Sequence, residues 1–176
     1  MKLAVFLSAI ALGAAASPTV AAMTLSSSDI KDGATIAAAQ IYTDCGGQNV
    51  QPQLRWSGVP AGAKSLALTM IDLDVKPAQW SHWIVVDLSS DVSELARGSA
   101  TLPGHAKSIA SNFGDASYDG PCPPKGSGTH RYEFTIWALP VATVAIAADA
   151  KATDVRAMLT KIALDHASLA GTVQRN

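Results

Sequence analysis

Two stretches of the chain alternate with a period of two and a third is a short continuous apolar run, and that pattern predicts a sheet protein. Ser65 to Ile71 places Leu66, Leu68 and Met70 on one face and Ala67, Thr69 and Ile71 on the other. Both faces are mostly apolar, so this strand is expected to be covered on both sides. His82 to Leu88 reads as a second buried strand through Trp83, Ile84, Val85 and Val86. Arg131 to Leu139 is the third, with Tyr132, Phe134, Ile136 and Ala138 alternating against Arg131, Glu133, Thr135 and Trp137. Met23 to Ser26 and Leu54 to Trp56 read as short strands, and Ala34 to Tyr42 is apolar without a clear period. Helical spacing occurs late: Val155, Leu159, Ile162 and His166 predict a helix reaching about Ala167, with Thr153 as N-cap and Asp154 at the positive end of the dipole. Gly171 then releases a short final strand, Thr172 to Gln174. The expected class is mainly β with a minor helical part near the C-terminus.

The first residues follow a different pattern. Lys2 precedes an uncharged run from Leu3 to Ala16, Pro18 breaks it, and Val20-Ala21-Ala22 supplies small residues at cleavage spacing. This predicts a secretory leader over 1–22, removed before a single domain over 23–176; a cut after Ala16 is the alternative. The apolar run is too short to span a bilayer comfortably, so no transmembrane segment is expected after processing. Removing the leader leaves 154 residues and takes one lysine, so the net charge goes from −1 to −2. With no basic stripe, nucleic-acid binding is disfavoured. The domain is expected to be periplasmic or secreted. Two cysteines, Cys45 and Cys122, meet an oxidising compartment there, which favours a disulfide over two separate thiols.

Polar groups gather at three strand ends. Asp72-Leu73-Asp74 follows the first buried strand. His82, preceded by Trp80, opens the second. His130 and Tyr132 open the third, after Gly-Pro-Cys-Pro-Pro-Lys-Gly-Ser-Gly-Thr over 120–129. That loop is costly to order, because its prolines cannot join a ladder and its glycines lose the most entropy. It reads either as the wall of a small anion pocket or as a rigid surface turn. Imidazoles and loop N–H groups can hold phosphate or carboxylate, whereas the two carboxylates favour an amine. A zwitterionic ligand satisfies both. Arg131 reads as an internal ion-pair partner that holds the loop.

Catalytic patterns are weak. Gly126-Ser127-Gly128 has Lys125 where a nucleophile elbow has its first glycine, and no Ser–His–Asp arrangement emerges from spacing. A zinc site from His82, His130 and Asp72 is the metal alternative. No catalytic residue, cofactor or resident metal is expected.

Four segments resemble the phosphatidylethanolamine-binding protein family, in its bacterial Raf kinase inhibitor-like branch. They are Cys45-Gly46-Gly47-Gln48-Asn49 with Pro52, Leu54 and Trp56; Gly58 to Leu68; Asp72 to Asp74 with Pro77 and Trp80-Ser81-His82-Trp83; and Gly120 to Tyr132. The resemblance implies a large antiparallel sheet packed with a smaller sheet and a few helices. It also implies one anion pocket for phosphate-bearing head groups, built from Asp72, Asp74, Trp80, His82, Pro123, Pro124, His130 and Tyr132. Two departures stand out. Leu73 replaces the proline of the usual Asp-Pro-Asp, which loosens that turn, and Gly46 replaces an aspartate. The expected function is an exported, non-enzymatic binding protein for a small phosphate-bearing or zwitterionic ligand. The alternatives are a protein-interaction module such as a peptidase inhibitor, and a cryptic hydrolase or metal enzyme. Kinase regulation does not fit an exported chain.

Overall fold

A computed structural model of the protein describes residues 21–147 and 150–176. The leader expected over 1–22 therefore lies almost wholly outside the described residues. Among the described residues, eight strands and one α-helix follow in chain order: β1 (Thr24–Ser26), β2 (Leu54–Ser57), β3 (Ser65–Asp72), β4 (Trp80–Leu88), β5 (Glu94–Leu95), β6 (Lys107–Ser108), β7 (Thr129–Leu139), α1 (Ala152–Ile162) and β8 (Asp165–Gln174). The larger sheet runs β6-β4-β3-β7-β8 and the smaller β1-β2-β5, and every pairing between named strands is antiparallel.

β3 is central and buried along its whole length, because both of its faces are covered. Leu66, Leu68 and Met70 pack with Tyr132, Phe134 and Ile136 of β7 and with Leu54 and Trp56 of the smaller sheet. On the opposite face Ala67, Ile84, Val86 and Trp137 pack against Val155 and Leu159 of α1. The two-sided pattern of β3 thus corresponds to a layer order of small sheet, large sheet, helix.

The C-terminal region departs from its sequence pattern. The helix stops at Ile162, Lys151 rather than Thr153 occupies the N-cap, and His166 lies in β8. Ala163 turns the chain with an extended backbone, and Leu164 N–H then donates to Ala138 O (2.8 Å). Residues 165–174 pair with β7 from Asp165↔Ala138 to Gln174↔Thr129. Leu169, Gly171 and Val173 are buried on alternate positions, a period of two that outweighs the helical spacing of His166. Gly171 belongs inside this strand: a Cβ there would lie 2.5 Å from Ile36 Cγ1.

Candidate functional site

Three adjacent strands of the larger sheet end at one place. Asp72 pairs with Trp80 of β4 on one side and with Tyr132 of β7 on the other. Alternation along β7 puts His130 on the same face as Tyr132. His82 reaches that face by a register shift: Met70 pairs with Trp83, but Ile71 pairs with Ser81, so His82 is an extra residue in β4. Regular alternation would have placed it with Ile84 and Val86, beneath the helix. The bulge sends it to the Tyr132 side instead, where the two rings meet edge to face at 5.1 Å.

Each imidazole is held by its Nδ1. His82 Nδ1 donates to Asp119 O (2.8 Å), which fixes the tautomer and leaves Nε2 unprotonated on the neutral ring. The bulged His82 carbonyl also accepts from Asp119 N–H (3.2 Å). Burial pushes the His82 pKa down, against opposing pulls from the Asp119 carbonyl and the Asp72 charge, so the neutral ring is favoured. His130 Nδ1 donates to Asp72 Oδ2 (2.7 Å), and both side chains are buried. Asp72 Oδ1 accepts from Asp74 N–H (2.9 Å), closing a turn. Asp74 in turn accepts from Arg131 N–H (2.8 Å).

The tyrosine hydroxyl is the exception. Tyr132 is fully buried and its Oη has no hydrogen-bond partner among the described residues. Burial first, and then the charge of nearby Asp72, push its pKa up against a smaller opposing pull from the Cys122 backbone, so it stays a neutral donor; neither group meets hydrogen-bond geometry with the hydroxyl.

Loops supply the remaining wall. Cys122, Pro123 and Pro124 precede β7, and a disulfide joins Cys122 to Cys45 with Cα atoms 5.6 Å apart. Asn49 clamps the same loop: its Oδ1 accepts from Gly120 N–H (2.7 Å) and its Nδ2 donates to Tyr118 O (3.1 Å). A Cβ on Gly120 would lie 2.1 Å from Gln40 O, so only glycine lets these two segments cross. Arg175 Nη1 donates to Pro123 O (3.0 Å) from beyond β8. Phe113 is 47% exposed and stands at the rim, 5.0 Å from the His82 ring and 5.8 Å from Trp80.

Together these groups enclose a cavity of about 220 Å³ lined by Asp72, Val75, Trp80, His82, Phe113, Cys122, Pro123, Pro124 and Tyr132. Six of the eight residues expected from the sequence therefore share one cavity. Asp74 and His130 do not line it; they hold Asp72 and the β3–β7 end from behind. Sequence reading missed Phe113, Val75 and Asn49. Phe113 and Val75 sit in irregular segments with no periodic signal, and Asn49 acts through a chain crossing that spacing does not reveal. Arg131 is exposed and forms no ion pair among the described residues, so it holds the loop through its backbone and not its charge. Among the described residues no group of three or more His, Cys, Asp or Glu side chains could hold a metal ion, so the set weighed for zinc is not assembled.

The two sequence departures have structural counterparts. Leu73 N–H donates to Arg131 O (3.0 Å), extending the β3–β7 pairing by a bond that proline could not make. The turn that leucine was expected to loosen is tied by that bond. Gly46 adopts φ +83° and caps a 3-10 turn at Thr43–Cys45, placing Cys45 for its disulfide.

Comparison with known proteins gives a consistent picture. The profile described as "Phosphatidylethanolamine-binding protein" matches residues 26–174. UPF0098 protein YbcL of Escherichia coli is 38% identical over 131 residues, covering 70% of this chain and 72% of that protein. The crystal structure of YbcL superposes with a TM-score of 0.83 at 31% identity, covering 89% of this chain and all of that one. A Mycobacterium tuberculosis protein named "Putative lipoprotein LppC" is 41% identical over 125 residues, 71% of this chain and 59% of that protein. A carboxypeptidase Y inhibitor, solved with its cognate proteinase, has a TM-score of 0.57 at 20% identity over 88% of this chain and 83% of that one; this likeness is one of fold.

Proposed function

The chain belongs to the phosphatidylethanolamine-binding protein family, and from that premise we propose an exported, non-enzymatic binding protein. Its pocket takes the phosphate-bearing head group of a small zwitterionic ligand of the phosphorylethanolamine kind. The observation that carries this reading is the Tyr132 hydroxyl, a buried donor at the cavity with no hydrogen-bond partner among the described residues. An unsatisfied buried polar group costs about 1–3 kcal/mol, which a ligand oxygen would offset.

The lining contains no lysine or arginine, so charge alone does not select the ligand. Neutral His82 offers an acceptor at Nε2, and Tyr132 offers a donor. A phosphate monoester near neutral pH still carries a proton part of the time, because its second pKa is about 6. Its P–OH can donate to His82 while a phosphoryl oxygen accepts from Tyr132. The ligand ammonium then finds Asp72 or the faces of Trp80 and Phe113. The cavity lies below the roughly 300–1,000 Å³ of drug-sized sites, which suits a head group rather than acyl chains. Export is supported by the leader-type N-terminal sequence and by the disulfide. In the described residues no helix is long and apolar enough to cross a membrane.

The test is a titration of phosphorylethanolamine, with inorganic phosphate as control, followed by NMR of the histidine ring signals. Saturable shifts at His82 that weaken in Tyr132→Phe are expected, and they should be larger with phosphorylethanolamine. Silence with both ligands would sink the head-group reading and leave a protein partner, such as a peptidase, as the one to seek.

A further inference from the structure

The residue just before the smaller sheet has its nitrogen already placed against a carboxylate. The Met23 side chain is buried in the main core, and its backbone N–H donates to Asp165 Oδ2 (3.1 Å). Asp165 is the first residue of β8, in the other sheet, and its Oδ1 accepts from His166 N–H (2.8 Å). None of the ion pairs among the described residues uses Asp165. A carboxylate that meets only backbone amides is poised for a cation.

The bond preceding Met23 is the one that the small residues Val20-Ala21-Ala22 mark for cleavage. Ala21 and Ala22 are exposed and belong to neither hydrophobic cluster, and it is their backbone that lies over Gly58. We propose that Ala22–Met23 is a processing site and that the released Met23 ammonium forms an ion pair with Asp165, latching the smaller sheet to the larger. Hydrolysis supplies the charge. Water adds across the peptide bond, the carboxylate leaves on Ala22, and the Met23 nitrogen becomes an ammonium. The agent is a leader endopeptidase that selects small residues one and three positions before the cut. The Met23 side chain fixes where its nitrogen lies, so the new charge appears beside the acceptor instead of on a fraying end. The latch rests on the export part of the proposed function and is independent of the pocket.

The full chain is expressed in a bacterium, the exported protein is purified, and its N-terminus is read by sequencing and intact mass. Met23 is the expected first residue. Thermal unfolding is then compared for four proteins: this form, its Asp165→Asn variant, a form that starts at Ala21, and the Asp165→Asn variant of that form. Asp165→Asn should lower the Tm of the processed protein by about 2–4 °C and that of the Ala21 form by less than half as much. An unprocessed chain would overturn export and latch together. A cut after Ala16, or equal Asp165→Asn effects in both forms, would overturn the latch alone.

Discussion

The cavity has two halves built in different ways. Asp72, Trp80, His82 and Tyr132 stand on three neighbouring strands, and the sheet ladder sets their spacing. Cys122, Pro123 and Pro124 stand on a loop whose position depends on a disulfide, the Asn49 clamp and the Arg175 contact, and Phe113 stands on another, held by bonds between Asn112 and Ser81. The strand half is fixed by the same bonds that make the fold, so a change there affects stability and binding together. The loop half is fastened from outside and can be altered with the sheet left standing. Tyr132 crosses this division: its ring belongs to the core, while its hydroxyl does nothing for the core.

Removing the fastening should have the largest effect. Replacing Cys45 and Cys122 together by serine frees a loop of 77 residues, and chain entropy puts the cost at about 4 kcal/mol. Urea unfolding should show that loss. The histidine ring spectrum of the folded variant should show a displaced loop half, and unchanged stability would mean that the loop holds without its bond.

Next in size is a pH effect at the join between the halves. Asp119 grips His82 through its backbone, and its own carboxyl is buried with Oδ2 unpartnered among the described residues. Burial, with Asp115 beside it, raises its pKa to about 7. The folded state therefore binds more protons than the unfolded state between the ordinary carboxyl pKa of 3.8 and about 7, and the stability this group contributes is lost as pH rises through that window. Asp119→Asn should remove the loss, seen as a flatter Tm between pH 4 and 7. His82 works in the opposite direction. Its lowered pKa means that stability falls as pH drops below 6.5, so His82→Gln should flatten the acid side of the profile.

Two substitutions separate binding from stability. Phe113→Ala removes an exposed rim ring and should leave stability within about 0.5 kcal/mol, while weakening phosphorylethanolamine binding roughly fivefold, about 1 kcal/mol. Tyr132→Phe deletes a hydroxyl that satisfies nothing and should be neutral or slightly stabilising, by less than about 1 kcal/mol, yet weaken the same ligand. A large stability loss in Tyr132→Phe would show that the hydroxyl belongs to the fold, and the two halves would no longer differ in the way described.

The same division explains what could be read from the sequence. The strands that carry Asp72 and Tyr132 announce themselves by alternation and the one that carries His82 by a continuous apolar run, so the sheet and one half of the cavity were legible. The face that His82 adopts was not, because a bulge reverses parity without leaving a mark in an apolar run. Phe113 was hidden for another reason: it lies in a loop held by Asn112 and Ser81 contacts between segments distant in sequence. The C-terminal helix was overextended because His166 fits a period of 3.6, while Leu169, Gly171 and Val173 fit a period of two. Tertiary pairing with β7 settled the matter.

The strand order also bears on the time at which the cavity exists. β3 and β4 are adjacent in the chain and form a hairpin, so Asp72, Trp80 and His82 can come together by closing a short loop. His130 is 58 residues from Asp72, and Tyr132 arrives on the same strand. Long-range closure of that kind is the slow part of assembling a sheet. The hydroxyl therefore belongs to the long-range part of the site, and head-group binding requires that β7 is docked on β3.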